Sequence, residues 1–331
     1  MGGDDAPRAP VEGAIRAARE SGIRILLVGD EKATQGELAR FGKVPSEITV
    51  VHAGETIGMD ESPAAALLRK RDSSIMVATN LVKEGSACAV VSAGNSGAVT
   101  GAAIVRLGMV PNVERPAIAT VFPAKGLAGV VVLDVGATVD CAPSNLIDFA
   151  YLGVTYARSL LSVAEPRVAL LSIGEEPSKG NAVVKKAHAL LARSRLNFVG
   201  NIEGRDIALG NADVTVLDGF TGNILLKFAE GLGSLVSEFL REAVGHDPLA
   251  AIGGLAMSRS FGRMRQRMDY RAYGGAMLLG VRGVVVIGHG RSDADGVMAA
   301  VKAAARGVEN GLVGAIAAGV GSPAHMPEVD A

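Results

Sequence analysis

The sequence contains no tryptophan and only 4% aromatic residues, which leaves few flat rings on which bases could stack. It has no excess of either charge: 33 Lys and Arg face 34 Asp and Glu, for a net charge of −1. Both features argue against a nucleic-acid partner. The two cysteines, Cys88 and Cys141, stand far apart and outside any CxxC pattern. A disulfide framework or zinc site is therefore not expected, a reducing cytoplasm fits, and core packing is the reading for both thiols. No apolar run reaches the roughly 18 residues needed to cross a bilayer. Residues 1–30 lack the basic start and apolar core of a signal peptide. The GxxxxGK[ST] loop, a GxGxxG after a first strand and the GxSxG elbow are all missing. Their absence removes support for a P-loop, a dinucleotide fingerprint and a covalent acyl-serine. With no convincing acidic cluster either, neither a metal nor a cofactor is expected.

Glycine, by contrast, is plentiful, with 43 of 331 residues, about twice the usual share. The recurring pattern is a short β-branched run, a glycine-bearing turn and an amphipathic stretch. Residues 23–28, 48–52, 87–92, 117–122, 130–134, 168–172, 214–217 and 284–287 read as strands. Residues 62–71, 74–83, 98–107, 144–161, 181–193, 223–243 and 293–308 read as helices. Alternation of this kind predicts an α/β fold with a mostly parallel, doubly wound sheet. No repeat or low-complexity linker divides the chain. Residues 1–320 are expected to form one α/β unit, or two lobes around a cleft, followed by a loose tail at 321–331.

Four strand-to-helix junctions share a design. They are Ser92–Gly97, Gly174–Asn181, Asp218–Asn223 and Gly288–Asp293. Each offers glycine, a small hydroxyl or amide side chain, and the N-terminus of a following helix, where free N–H groups and the helix dipole attract phosphate. In a parallel sheet the carboxyl ends of the strands share one edge, so these segments are expected to converge on one crevice. The candidate phosphate and substrate ligands are Gly94, Asn95, Ser96, Gly97, Gly180, Asn181, Asp218, Gly219, Gly222 and Ser292. Tight turns and helix caps use the same residues, so the alternative for each loop alone is purely structural.

Lys179 sits at a helix mouth, where a cation is mildly unfavourable unless an anion offsets it; plain solvent exposure is the other reading. His289, between two glycines, is either a general base or a structural histidine. Residues 246–271 carry an apolar run with Leu249, Ile252, Leu255 and Met257, then a basic flank with Arg259, Arg263 and Arg267. This segment is expected to be a helical hairpin or apolar tip. It would serve as a dimer interface, or as a contact to a membrane surface or an acidic carrier protein.

Six segments together resemble the PlsX family of phosphate acyltransferases. They are Met1–Pro7, Ser92–Ala98, Gly174–Glu176 with Lys179–Asn181, Asp218–Asn223, Tyr273–Ala276 and Gly288–Asp293, in register along essentially the whole chain. The resemblance implies an isopropylmalate-dehydrogenase-like, phosphotransacetylase-like architecture and a homodimer. It also implies transfer of a fatty acyl group from acyl-[acyl carrier protein] to inorganic phosphate, giving acyl-phosphate for phospholipid synthesis. A membrane-bound glycerol-3-phosphate acyltransferase would take the product, and the enzyme would be cytoplasmic and peripherally associated with the membrane. By motif, the family's functional lysine and asparagine fall on Lys179 and Asn223. With His289 as a proton-handling group, these are the candidate catalytic residues. Two departures are visible: members usually carry a strand before Met-Gly-Gly-Asp, and usually have Asn where Thr138 stands. A related NAD-dependent dehydrogenase and a non-catalytic phosphate or carrier-protein sensor stay open as other readings.

Overall fold

The fold is that of a computed structural model, which describes residues 1–245, 257, 262 and 274–320. The expected hairpin at 246–271, Met257 and Gly262 apart, and the tail at 321–331 lie outside the described residues.

Helix α1 (Arg8–Ser21) buries Val11, Ile15 and four alanines on one face. Gly22 ends it in the left-handed conformation, its N–H bonded to the Ala18 carbonyl. Strands β1 (Ile25–Gly29) and β2 (Ile48–His52) form a parallel two-stranded sheet. Between them runs α2 (Glu31–Leu38), capped by the Asp30 carboxylate, which accepts the Ala33 N–H at 2.7 Å.

The main sheet has eight strands. In chain order they are β3 (Ala89–Ser92), β4 (Ala117–Phe122), β5 (Val130–Leu133), β6 (Val168–Leu171), β7 (Phe198–Ile202), β8 (Val214–Val216), β9 (Ala276–Leu279) and β10 (Val284–Ile287). Their spatial order is β3-β10-β9-β4-β5-β8-β6-β7. Helices cover both faces, so strands such as β4 and β5 are buried along their whole length and read as continuous apolar runs. On one face Ala119, Val121, Leu133 and Val214 pack against α6 (Pro143–Leu161), α7 (Ala182–Ala192), α10 (Ala294–Glu309) and α11 (Leu312–Val320). The other face carries Ile118, Val132, Ala169 and Ile287 under α4 (Ser74–Lys83), α5 (Ser96–Leu107) and α8 (Gly204–Leu209). The long helix α9 (Gly219–Gly245) adds Leu225, Leu226 and Ala229 to that second layer. Each fully buried Leu, Ile or Phe in these layers contributes about 1.5–3 kcal/mol.

The sheet is mostly parallel, with four of its seven strand pairings so arranged. It does not, however, run in one direction. β3, β10 and β4 point one way; β9, β5, β8, β6 and β7 point the other, because β4 pairs antiparallel with both neighbours. The expected single carboxyl edge shared by all four junctions is therefore absent.

The register supplies a different meeting point. Ile287, the last residue of β10, pairs with Ala276, one step beyond the Met277–Ala119 pair, and so lies level with Thr120. Leu133, the last residue of β5, is one step beyond the Thr120–Val132 pair and lies level with Ala119. Thus two half-sheets of opposite direction both end on adjacent residues of β4, about 3.4 Å apart along the strand. Their carboxyl ends meet at a waist in the middle of the sheet.

Candidate active site

A cavity of about 160 Å³ lies at this waist, on the face covered by α9. Ile118 and Thr120 of β4 form its floor. Ser96, Gly288, His289 and Ser292 come from one half-sheet, Gly136 and Asn223 from the other, and Lys227 and Glu230 reach in from α9. A shallower depression of about 510 Å³ near Arg19, Lys43 and Glu47 flanks the two-stranded sheet and touches none of these strand ends.

On the first side, Asn95 caps α5. Its Oδ1 accepts the Ala98 N–H at 3.0 Å, and its Nδ2 donates to the carbonyls of Gly58, Met59 and Glu61 at 3.2, 3.3 and 3.0 Å. The side chain is 7% exposed and fully engaged, so Asn95 shapes the loop rather than offering a free amide. The next two residues, Ser96 and Gly97, are exposed, and their backbone N–H groups have no partner among the described residues. Such amides at a helix start are ready donors to an anion. Gly94 is held by its N–H to the Ser92 hydroxyl at 3.2 Å. The Met1–Pro7 motif buttresses the same loops: Asp4 donates its N–H to the Gly290 carbonyl at 2.9 Å.

On the second side the organising group is Asp134, which is completely buried. Its carboxylate accepts the N–H groups of Ile118, Gly136, Ala137 and Thr138 at 2.6–3.0 Å, with no cation in contact among the described residues. Burial pushes this carboxyl above its ordinary range, and the four backbone donors act against that rise. Thr138 turns its hydroxyl to the Pro116 carbonyl at 3.0 Å. The Cys141 thiol donates to the Thr138 carbonyl at 3.3 Å and is pushed up to about 11 by burial, so it is no nucleophile. Cys88, expected in the core, is exposed, because β3 begins only at Ala89.

Helix α9 is bolted to this loop. The Gly219 N–H donates to the Thr138 carbonyl at 2.9 Å, and a Cβ placed on Gly222 would lie 1.9 Å from the Asp134 carbonyl oxygen. The helix starts four residues earlier than the sequence pattern suggests. Asp218 is the cap, accepting both the N–H and the hydroxyl of Thr221 at 2.8 Å. Asn223 therefore sits one turn inside the helix, exposed, with its side chain beside Gly136, where a Cβ would be 3.7 Å from Asn223 Oδ1. Gly136 has φ +140°, a conformation that favours glycine.

One turn further along α9, Lys227 Nζ lies 3.4 Å from Glu230 Oε2 and 3.4 Å from His289 Nε2. Glu230 Oε2 is 3.5 Å from His289 Nε2. His289 Nδ1 accepts the Arg291 N–H at 3.1 Å. In the neutral ring Nδ1 is then the acceptor and Nε2 carries the proton. Ser292 is 7% exposed, and its hydroxyl has no partner among the described residues.

The structure brings together Ser96, Asn223, His289 and Ser292 of the expected site residues. Gly94, Asn95, Gly97, Asp218, Gly219 and Gly222 form the frame behind them. The loop 174–181 does not line the cavity. It follows β6, which lies two strands beyond β5, roughly 10 Å at the usual spacing. There Asn181 caps α7 by accepting the Val184 N–H at 2.9 Å, Gly180 takes φ +98°, and Lys179 is exposed with its stem packed over Gly174. Leu249, Ile252, Leu255, Arg259, Arg263 and Arg267 lie outside the described residues; Met257 is 51% exposed. Sequence reasoning missed Lys227, Glu230, Gly136 and Thr120. The spacing Asn223, Lys227, Glu230 places three polar groups on one helical face and is the signal that could have found the first two. Among the described residues, no cluster of three or more His, Cys, Asp or Glu could hold a metal, and no helix is long and apolar enough to cross a membrane.

A family model described as "Fatty acid synthesis protein" matches residues 1–314. The phosphate acyltransferase of Heliobacterium modesticaldum is 46% identical over 317 residues, covering 96% of this chain and 94% of that protein. That of Nostoc punctiforme is 48% identical over 313 residues, covering 94% and 92%. Among solved structures, a phosphotransacetylase from Streptococcus pyogenes aligns with a TM-score of 0.58 at 16% identity, covering 96% of this chain and 92% of that one. A branched-chain phosphotransacylase from Enterococcus faecalis aligns with 0.55 at 16% identity, covering 92% and 96%. These structural likenesses bear on the fold, which is phosphotransacetylase-like.

Proposed function

Because the chain belongs to the phosphate acyltransferase family, we propose that the waist cavity is where phosphate meets the acyl group. The protein is an acyltransferase of fatty acid and phospholipid synthesis, using an acyl donor and phosphate. In our reading the donor is a fatty acyl thioester of acyl carrier protein. A phosphate oxygen attacks the thioester carbonyl, a C–O bond forms, and the tetrahedral intermediate collapses with loss of the C–S bond. From HPO₄²⁻ the products are acyl-phosphate and the carrier thiol, the phosphate proton ending on sulfur. No acyl-enzyme is needed.

The observation that carries this reading is the convergence of donors from both half-sheets: Ser96, Ser292, Asn223, Lys227 and His289 around one small cavity. Such a site would work by positioning and by compensating charge as the oxyanion develops. We assign Asn223 to the oxyanion or phosphate. Lys179, exposed and outside the cavity, is assigned to the anionic donor at its mouth. Neither metal nor cofactor enters the scheme. Mixing acyl-[acyl carrier protein], phosphate and protein, then trapping acyl-phosphate with hydroxylamine, tests the reading. Binding of the carrier protein without thiol release would instead support a sensor.

A homodimer is supported by α9, which exposes Phe220, Ile224, Phe228, Leu232, Leu235 and Phe239 at helical spacing. We further propose a cytoplasmic enzyme that meets the membrane surface through the 246–271 segment. There it would hand its reactive product to a membrane-bound glycerol-3-phosphate acyltransferase.

A further inference from the structure

We propose that Lys227 is the cation that binds phosphate, and that Glu230 is the carboxylate that holds Lys227 and His289 in place as paired donors. The proposal rests on the phosphate acyltransferase reading and deepens it. Among the described residues lining the cavity, Lys227 is the one lysine or arginine. Its ammonium stands 3.4 Å from His289 Nε2, and Glu230 Oε2 lies within reach of both, at 3.4 Å from Lys227 and 3.5 Å from His289.

The geometry defines what His289 can do. Its Nδ1 lone pair is taken by the Arg291 N–H, and Nε2 carries the proton. With Nδ1 engaged by Arg291, the neutral His289 ring presents its Nε2–H as a donor. The ammonium has three N–H bonds, the imidazole one, and one carboxylate serves both, so donors are in surplus. That surplus, facing Ser96 and Ser292 across the cavity, suits a tetrahedral oxyanion with several acceptor atoms. Glu230 is a positioning residue; it sits 17% exposed in its side chain and acts through the two donors.

Steady-state kinetics with inorganic phosphate and an acyl carrier protein thioester test this. Lys227→Ala is expected to raise KM for phosphate about 10- to 100-fold, the weight of one hydrogen bond to a charged group, while KM for the thioester stays within about threefold. His289→Gln, which restores an N–H near the Nε2 position, is expected to retain at least tenfold more activity than His289→Ala. Glu230→Ala is expected to raise KM for phosphate, and Glu230→Gln to do so less. An unchanged KM for phosphate in Lys227→Ala, or equal activity of the two His289 variants, overturns the proposal. So does a rise in that KM in Lys179→Ala alone. Lys227→Gln, with its melting temperature measured alongside, separates a binding loss from misfolding. If the wild-type protein forms no acyl-phosphate at all, the underlying reading has failed and not this assignment.

Discussion

Alanine at position 222 would place a methyl carbon 1.9 Å from the Asp134 carbonyl oxygen, a backbone atom that cannot swing aside. A carbon–oxygen contact needs about 3.3 Å, so the first turn of α9 must retreat by roughly 1.4 Å. Asn223 is the next residue, and Lys227 and Glu230 follow within two turns of the same rigid helix. All three donors or anchors would therefore shift together relative to Ser96 and Ser292. A 1 Å misplacement of catalytic groups costs about 100-fold in rate, and kcat for Gly222→Ala is expected to fall by at least that much. The overpacking itself costs about 1–3 kcal/mol, so the protein should still fold, with a melting temperature lower by a few degrees. Gly36→Ala is the contrast: mid-helix in α2, with nothing within 4 Å of the added Cβ. There alanine should gain up to about 1 kcal/mol of stability from helix propensity and leave kcat alone. Turnover would be followed by hydroxylamine trapping, and folding by circular dichroism melts. A Gly222→Ala enzyme with kcat within threefold of wild type would refute the claim that the α9–β5 junction sets the site geometry.

Asn223→Ala should lower kcat about 100-fold, the scale of one lost oxyanion donor, and Lys179→Ala should act mainly on KM for the acyl donor. A neutral Asn223→Ala would remove that residue from the mechanism. Burial alone would raise the Asp213 carboxyl, but the Arg167 guanidinium, at 2.9 and 3.2 Å, and the Arg167 N–H at 2.9 Å outweigh it and leave the carboxyl below its ordinary value. Its stabilisation is thus present at neutral pH and lost as pH falls through the depressed value. The melting-temperature gap between wild type and Arg167→Gln should be widest near neutrality and shrink below about pH 4; a gap constant with pH contradicts this. Phe228→Glu, in the apolar stripe of α9, should convert a dimer to a particle of single-chain mass in sedimentation equilibrium, and a wild type already of single-chain mass would end the dimer reading.

Strands made of unbroken β-branched runs were legible from sequence: β2, β4 and β10 have the ends that their residues suggest. So was the antiparallel or adjacent placement of β4 and β5. Elements with weak contrast were not. α1 buries mostly alanine, β7 is interrupted by Gly200 at φ +100°, and β9 is four residues following two glycines with positive φ. The reversal of direction at β4 is a tertiary fact, set by which strands pair, and no local periodicity encodes it. Small polar residues at strand ends pointed to the right junctions, yet could not tell Ser96, which faces the cavity, from Asn95, whose amide is used up one residue earlier. Likewise the Asp218–Thr221 cap sets the start of α9 and moves Asn223 a full turn inside it.

In the proposed scheme two opposed half-sheets, ending together on β4, build the phosphate site. The most direct measurement is a crystal structure of the protein with bound inorganic phosphate, at a concentration near its KM. Phosphate is expected between Ser96, Ser292 and Lys227, above Thr120, with oxygens within hydrogen-bond distance of each. Phosphate held instead by the loop 174–181, with this cavity holding only water, would contradict the account.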